Sequence, residues 1–363
     1  MKKTTLALSI ALLSSSAFAS ATAEQVIEQI DSSNWAVNPL DYGMTAMEYQ
    51  QKEGDLFALN MLNRGEINEF IHFPGLSKAG DNWVVTPNVD TVYSLAIIDT
   101  RKGFKIEVPE MGERFMSLHI QDQNHTFVEY AWEAGVYEFK EGEIETDYVF
   151  VGIRTGTDAT EADIKYIQDV LQPKMNIESN SAVPYQSDMT EEEIVELRNA
   201  LLDEWGNLPD MYDSVQFDIH EVTDWEKWTY TIAGSWGLSP ESTAMYASWA
   251  PENTEAGKCY TATFDAIPAK SFGSLTMYDS HNYLMTDEHN IVSTNRPDFK
   301  SHDDGSFTVI FGDQSCKSIA EAQDVNFAQT NVDGWRGQIR AYRPDVEKMK
   351  LYQMPELKEL TLN

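Results

Sequence analysis

The chain has 363 residues, 42% hydrophobic and 11% aromatic, which provides for roughly two packed domains and excludes a chain disordered throughout. Its 26 Lys and Arg stand against 59 Asp and Glu, a formal charge of −33. That balance argues against nucleic acid, which demands a basic face, and against adhesion to an anionic membrane. No segment approaches the roughly 20 apolar residues of a membrane span.

The N-terminus reads as a secretory signal. Lys2 and Lys3 give a positive start, Leu6 to Leu13 form a short apolar stretch, and Ala17-Phe18-Ala19 and Ala21-Thr22-Ala23 both suit cleavage. Residues 1–19 are therefore set apart from the fold, with cleavage as late as 23 as the alternative. The expected location is periplasmic or secreted. No Cys lies near the cleavage region, which argues against a lipoprotein. The acidity fits solubility in such a compartment.

Residues 24–64 read as helical. Met44 to Leu62 carries Met47, Leu56, Leu59 and Leu62 on one side, and Arg64-Gly65 is a plausible stop. From Trp83 the period changes to two. Val92–Asp99, Phe104–Val108, Phe115–Asp122, Thr126–Trp132, Val136–Phe139 and Tyr148–Arg154 read as short strands separated by Gly, Pro and acidic turns. This spacing predicts a β-sandwich or barrel-like domain over 24–158.

An acidic helical connector is expected over 159–235. Thr160 opens a capped helix with Ile164, Ile167, Val170 and Leu171 on one face, ended by Pro173. Thr190-Glu191-Glu192-Glu193 is a capping box followed by Ile194, Leu197, Leu201 and Trp205. The Glu run suits the positive end of a helix and reads as a solvated face. Strand periodicity returns in Cys259–Phe264, Ser271–Tyr278, Ser306–Phe311 and Trp335–Tyr342, with Asp303-Asp304-Gly305 as a hairpin-type turn. A second β domain is expected over 236–350. The two cysteines, Cys259 and Cys316, are expected to pair in an oxidising compartment.

No nucleophile elbow, HExxH, P-loop or Rossmann glycine pattern is present, and two distant cysteines cannot form a CxxC zinc site. Glycosidase carboxylates carry no short motif and stay open. Four segments concentrate polar chemistry. In the first, His119, Gln121, Gln123 and His125 would share one face of an extended strand, a ligand-binding face or with Glu129 a metal site; alternatively the periodicity breaks at Asn124 and the segment is a strand end and turn with satisfied side chains. The second is Thr86-Pro87-Asn88-Val89-Asp90-Thr91-Val92-Tyr93-Ser94, a turn feeding a strand. The third is Ser274–Asp279, where Ser274, Thr276 and Tyr278 alternate with apolar residues as in a half-buried sheet. The fourth is Trp335–Pro344, whose Arg336, Arg340 and Arg343 either neutralise nearby carboxylates or clamp an anionic group.

Thr86–Ser94, then Asp99, Val108-Pro109 and Arg114-Phe115-Met116-Ser117-Leu118, resembles the bacterial domain of unknown function 1254, whose pattern reads P-N-N-D-T-x-Y-S, V-P and R-Y-x-x-L. Ser271–Asp279, then Tyr283-Leu284, Asp304-Gly305-Ser306 and Arg340-Ala341-Tyr342-Arg343-Pro344, is similar to its usual C-terminal companion, domain of unknown function 1214. The resemblance covers most of residues 40–345 in the family's order. Val89, Phe115 and Gly273 depart from the usual Asn, Tyr and Trp, and the N-W-L-P-A-P segment is reduced to Asn331-Val332-Asp333-Gly334-Trp335. If that segment shapes a pocket, the pocket differs here. The resemblance implies an α+β, β-rich fold of two jelly-roll-like sandwiches joined by helices, and it implies no reaction.

The leading expectation is an exported protein that binds a small polar ligand, such as a saccharide or envelope molecule, without cofactor. The candidate ligand residues are Asn88, Asp90, Thr91, Tyr93, Arg114, Tyr278 and Arg340. The alternatives are a hydrolase or lyase acting on envelope or polysaccharide substrates with Asp90 or His119 as base, and a structural or assembly protein. The decisive question is whether residues 86–93, 114–125 and 335–343 meet.

Overall fold

The computed structural model describes residues 21–81 and 86–361. The signal-like segment through Ser20, and Trp83, lie outside the described residues. Thr22 caps a short helix, α1 (Ala23–Ile27). The long helix α2 (Ala46–Leu62) starts at Thr45, whose hydroxyl accepts from Glu48 N while the Glu48 carboxylate accepts from Thr45 N. This reciprocal cap satisfies two of the donors a helix start leaves free.

The first sandwich contains β1 (Ile71–His72), β2 (Thr91–Asp99), β3 (Phe104–Val108), β4 (Met116–Asp122), β5 (Phe127–Ala131), β6 (Gly135–Phe139), β7 (Tyr148–Gly156) and β8 (Asn176–Ser179). One antiparallel sheet runs β1-β2-β7-β4-β5 and the facing one β6-β3-β8. Alternation sends Ile98, Leu118, Ile120, Val149, Val151 and Ile153 inward against Phe104 and Ile106. The other face of the larger sheet is buried too. Leu95, Ile97 and Phe150 pack there with Ala58 and Met61 of α2.

The chain from β7 to the second sandwich carries α3 (Glu161–Tyr166), α4 (Val195–Asn207) and α5 (Trp225–Ser235). The α3 helix runs on as a π turn over Ile167–Leu171 before Pro173 stops it. The stretch read as a helical connector also supplies β8, which pairs with β3 and completes the first sandwich. Its short polar sequence, Asn-Ile-Glu-Ser, carries no strand periodicity of its own.

The second sandwich contains β9 (Ala244–Trp249), β10 (Tyr260–Phe264), β11 (Ala269–Tyr278), β12 (Ile291–Ser293), β13 (Phe307–Gly312), α6 (Gln314–Gln323), β14 (Asn326–Gln329), β15 (Arg336–Pro344), α7 (Val346–Lys350) and β16 (Lys358–Glu359). Its sheets run β12-β11-β15-β9 and β14-β13-β10-β16. Trp249, Phe264, Leu275, Met277, Phe311 and Trp335 fill the space between them. The turn at Asp303-Asp304-Gly305 is present, with Gly305 at φ 83°, but it joins no hairpin. The chain before it is irregular, and β13 pairs instead with β10 and, in parallel, with β14. A parallel neighbour needs a crossover, which α6 provides. Cys259 and Cys316 are bonded, tying the start of β10 to α6. Among the described residues no helix is long and apolar enough to cross a membrane.

Candidate functional site

The alternation of Ser274, Thr276 and Tyr278 against Leu275 and Met277 is present, yet both sets are buried. Leu275 and Met277 enter the core of the second sandwich, while the polar set faces the first sandwich. A sheet face that its own domain leaves open is thus covered by the other domain.

The cover is the loop before β2. Asn88 donates its side-chain amide to the Tyr342 hydroxyl, and its own oxygen accepts from Asp90 N. Asp90 accepts from Ser274 Oγ at 2.5 Å and from Ser293 Oγ at 2.8 Å. Tyr278 donates to the Pro87 carbonyl at 2.8 Å, and Arg296 to the Val89 carbonyl at 2.6 Å. Arg340 donates to Thr86 O at 2.7 Å and to Thr276 Oγ1 at 2.9 Å. Burial pushes the Asp90 carboxyl up, while the two serine hydroxyls and the charges of Arg340 and Arg296 pull it down. Asn88, Asp90, Tyr278 and Arg340 therefore meet, and each is bonded within the protein. Thr91 is buried at the start of β2 beside them.

Arg114 is placed elsewhere. It grips Asp163 of α3 with two bonds, at 2.8 and 2.5 Å, and reaches Gly156 O at 2.6 Å. It braces the end of β7 against the connector. Arg336 and Arg343, like Arg340, form no ion pair among the described residues, and the Arg343 guanidinium lies 4.9 Å from the centre of the Trp132 ring.

The histidine segment departs from the extended reading. The β4 strand ends at Asp122, and residues 123–126 form a turn with His125 at φ 62°. Asp122 Oδ1 accepts from both Asn124 N and Thr126 N, which ties the turn. The His125 ring therefore leaves the sheet face and bonds the Gln50 carbonyl of α2 at 2.5 Å. Glu129 pairs with Ile120, so it sits on the opposite face from His119. No group of three or more His, Cys, Asp or Glu among the described residues is arranged to hold a metal.

The strand registers place a second polar group beside the clasp. Across the larger sheet of the first sandwich, Arg154 on β7 stands between Tyr93 on β2 and Ser117 on β4. In the next row, Gly152 stands opposite His119, and His119 opposite Tyr130. The His119 ring lies over Gly152, where an added Cβ would run into Nε2. Tyr93 and Tyr130 from the first sandwich and Tyr246 and Tyr342 from the second are the electrostatic neighbours of Arg154. Arg154 is only 8% exposed, its Nε and Nη1 are fully buried, and neither has a hydrogen-bond partner among the described residues. Ser117 Oγ and His119 Nδ1 are also buried and unpartnered. Burial, and then the charge of Arg154, push the His119 imidazole down to about 3, so it is neutral at ordinary pH.

Two arginines thus enter one seam from facing sheets. Arg340 finds two acceptors, whereas Nε and Nη1 of Arg154 find none among the described residues. An uncompensated buried charge costs several kcal/mol, so the surroundings of Arg154 are incomplete at two nitrogens, where Arg296 of the clasp has one buried nitrogen without a partner, Nη1. Among the expected residues Tyr93 borders it, 5.8 Å from ring centre to guanidinium, and His119 lies one row away. Arg154 itself, Tyr130, Tyr246 and Trp132 were not singled out by the sequence, and Ser117 stood there only as part of the family pattern. A signal existed, because Arg154 is the one charge in the otherwise uncharged, fully buried run Tyr148–Gly156.

Two sandwiches clasped through one loop, with polar sheet faces buried against each other, define a two-domain β protein of α+β class. Residues 67–177 match the model described as a protein of unknown function (DUF1254), and residues 244–346 the one described as a protein of unknown function (DUF1214). The chain belongs to the family that joins these two domains in this order. A similar fold is seen in the VPA0106 protein from Vibrio parahaemolyticus, 17% identical with a TM-score of 0.67 over 87% of this chain and 98% of that one. An uncharacterised protein from Burkholderia cenocepacia aligns at 11% identity and a TM-score of 0.47 over 93% and 92% of the two chains. No curated protein matches the chain.

Proposed function

We propose that this is an exported binding protein that holds a small polar ligand through an anionic group in the seam between its sandwiches. The observation that carries the reading is Arg154, a buried guanidinium with unpartnered Nε and Nη1 and no carboxylate paired to it. A guanidinium does not lose its proton at ordinary pH, and its planar fork matches a carboxylate or phosphate. The signal-like N-terminus and the disulfide support export. The test is thermal-shift titration with small carboxylates, inorganic phosphate and neutral sugars, on the protein and on Arg154→Met. Anions are expected to raise the melting temperature of the parent and leave the variant unmoved. A shift from neutral sugars alone, or an equal shift in the variant, would overturn the reading.

A second reading, catalysis with a general base, rests on His119. Both carboxylate oxygens of Asp90 already accept hydroxyl protons, whereas the neutral His119 imidazole has an unpartnered nitrogen beside the arginine. Turnover on an acidic-polysaccharide panel that vanishes in His119→Gln would favour it over simple binding.

A further inference from the structure

The surroundings of Arg154 narrow the ligand class, an argument that rests on the anion reading just given. We infer that the ligand is a hydroxylated carboxylate of the sugar-acid kind, its carboxylate meeting Arg154 and its hydroxyls meeting His119 and Ser117.

Three observations carry this. First, one cationic group stands in this row, since Arg340 is already bonded to Thr86 and Thr276 and Arg343 lies at the Trp132 ring. Arg154 has no second guanidinium or ammonium in its row, and the His119 ring beside it is neutral. A neutral imidazole does not attract a second carboxylate, but it exchanges a hydrogen bond with a hydroxyl through either nitrogen. Second, the polar groups are spaced for a molecule of several carbons. Gly152 lies two residues along β7 from Arg154, roughly 6.6 Å at strand spacing, and the imidazole lies over Gly152. Ser117 Oγ, opposite Arg154 on β4, adds another buried and unpartnered hydroxyl. Third, the flank is aromatic. The Tyr130 ring stacks near His119 at 6.2 Å and 29°, and Trp132 follows at 5.2 Å from Tyr130. Such rings accept the C–H face of a sugar ring. A simple fatty acid would leave His119 Nδ1 and Ser117 Oγ buried without partners, a penalty comparable to a lost hydrogen bond each.

The experiment is isothermal titration with glucuronate, glucose, cyclohexanecarboxylate and succinate. Glucuronate is expected to bind at least about 10-fold more tightly than each of the others, the size of one or two net hydrogen bonds. His119→Leu should reduce glucuronate affinity about 10-fold and leave cyclohexanecarboxylate affinity unchanged. His119→Gln, which keeps a polar side chain there, should lose less, and it serves if the leucine variant does not fold. Cyclohexanecarboxylate or succinate binding as tightly as glucuronate, with all carboxylates lost in Arg154→Met, would overturn the sugar-acid inference and leave the anion reading standing. Binding by no carboxylate would overturn both.

Discussion

The Arg340 guanidinium of the second sandwich donates to the backbone carbonyl of Thr86 in the first at 2.7 Å, joining residues 254 positions apart. On the facing sheet Arg154 is also buried and has two nitrogens with no such acceptor among the described residues. The same residue type therefore does opposite things in one seam. Arg340 bonds the two halves to each other, and Arg154 leaves its Nε and Nη1 without an acceptor among the described residues.

This contrast predicts opposite signs for one substitution. Arg154→Met should stabilise the ligand-free protein by about 1–3 kcal/mol, since an apolar chain replaces an uncompensated buried charge. Urea unfolding measures it. A lower midpoint for the variant would mean that Arg154 is already satisfied.

Arg340→Met should cost about 3 kcal/mol, because it leaves the Thr86 carbonyl and the Thr276 hydroxyl without their charged donor. The unfolding curve should also broaden or split as the two sandwiches lose their clasp. An unchanged single transition would argue that the other clasp bonds suffice.

Asp122 and His125 share a turn and oppose each other with pH. Burial pushes the Asp122 carboxyl up from 3.8 to about 6, so its favourable contribution is complete below 3.8 and lost as pH rises through 6. Burial pushes His125 down from 6.5 to about 4, against a weaker upward pull from its bond to Gln50, so its contribution is present above 6.5 and lost as pH falls through 4. Between pH 4 and 6 the two slopes offset. Asp122→Asn keeps an oxygen to accept from the Asn124 and Thr126 amides and removes one slope. Its stability should then climb with pH by up to about 1.4 kcal/mol per unit. Chemical denaturation in a pH series reads this directly, and a profile parallel to the parent would disprove it.

The Cys259–Cys316 bond spans 57 positions and joins β10 to the crossover helix. Closing a loop of that size is worth about 4 kcal/mol in the chain-entropy account. A Cys259→Ser, Cys316→Ser double variant should lose about 2–4 kcal/mol, with the first sandwich less affected than the second. Equal hydrogen-exchange losses in both halves would contradict that division.

The long strands were legible in the sequence because each carries its own period. Phe104–Val108 is found as expected, and β2, β4, β7, β10 and β15 begin or end within a residue or two of the reading. The strands that were not foreseen, β1, β8, β9, β12, β14 and β16, are mostly two to four residues long. Nothing in so short a segment distinguishes a strand from a loop, and the neighbouring strand supplies its hydrogen bonds. In the histidine segment the strand end and turn is the alternative that the structure shows, and the extended face is not. Period-two reasoning assumes an extended backbone, and the Asp122 carboxylate bends the chain by accepting the amides of Asn124 and Thr126.

The clasp was legible in part. Asn88, Asp90, Tyr278 and Arg340 stand out as polar side chains beside apolar runs, and the structure brings them together. Whether a polar side chain faces water, a partner domain or a ligand is not written in local sequence, since all three surroundings satisfy the same donors and acceptors.

By itself the sequence determined the two β-rich halves, the capped helices, the cysteine pair and the family pattern, because periodicity, capping and turn chemistry act over a few residues. Only the tertiary structure decided which buried polar groups are paired. Arg340 is answered by a carbonyl from the other sandwich and Arg154 is not, a difference fixed by strand register and domain contact across more than a hundred residues. Long-range geometry assigns partners, and composition only supplies the groups that need them.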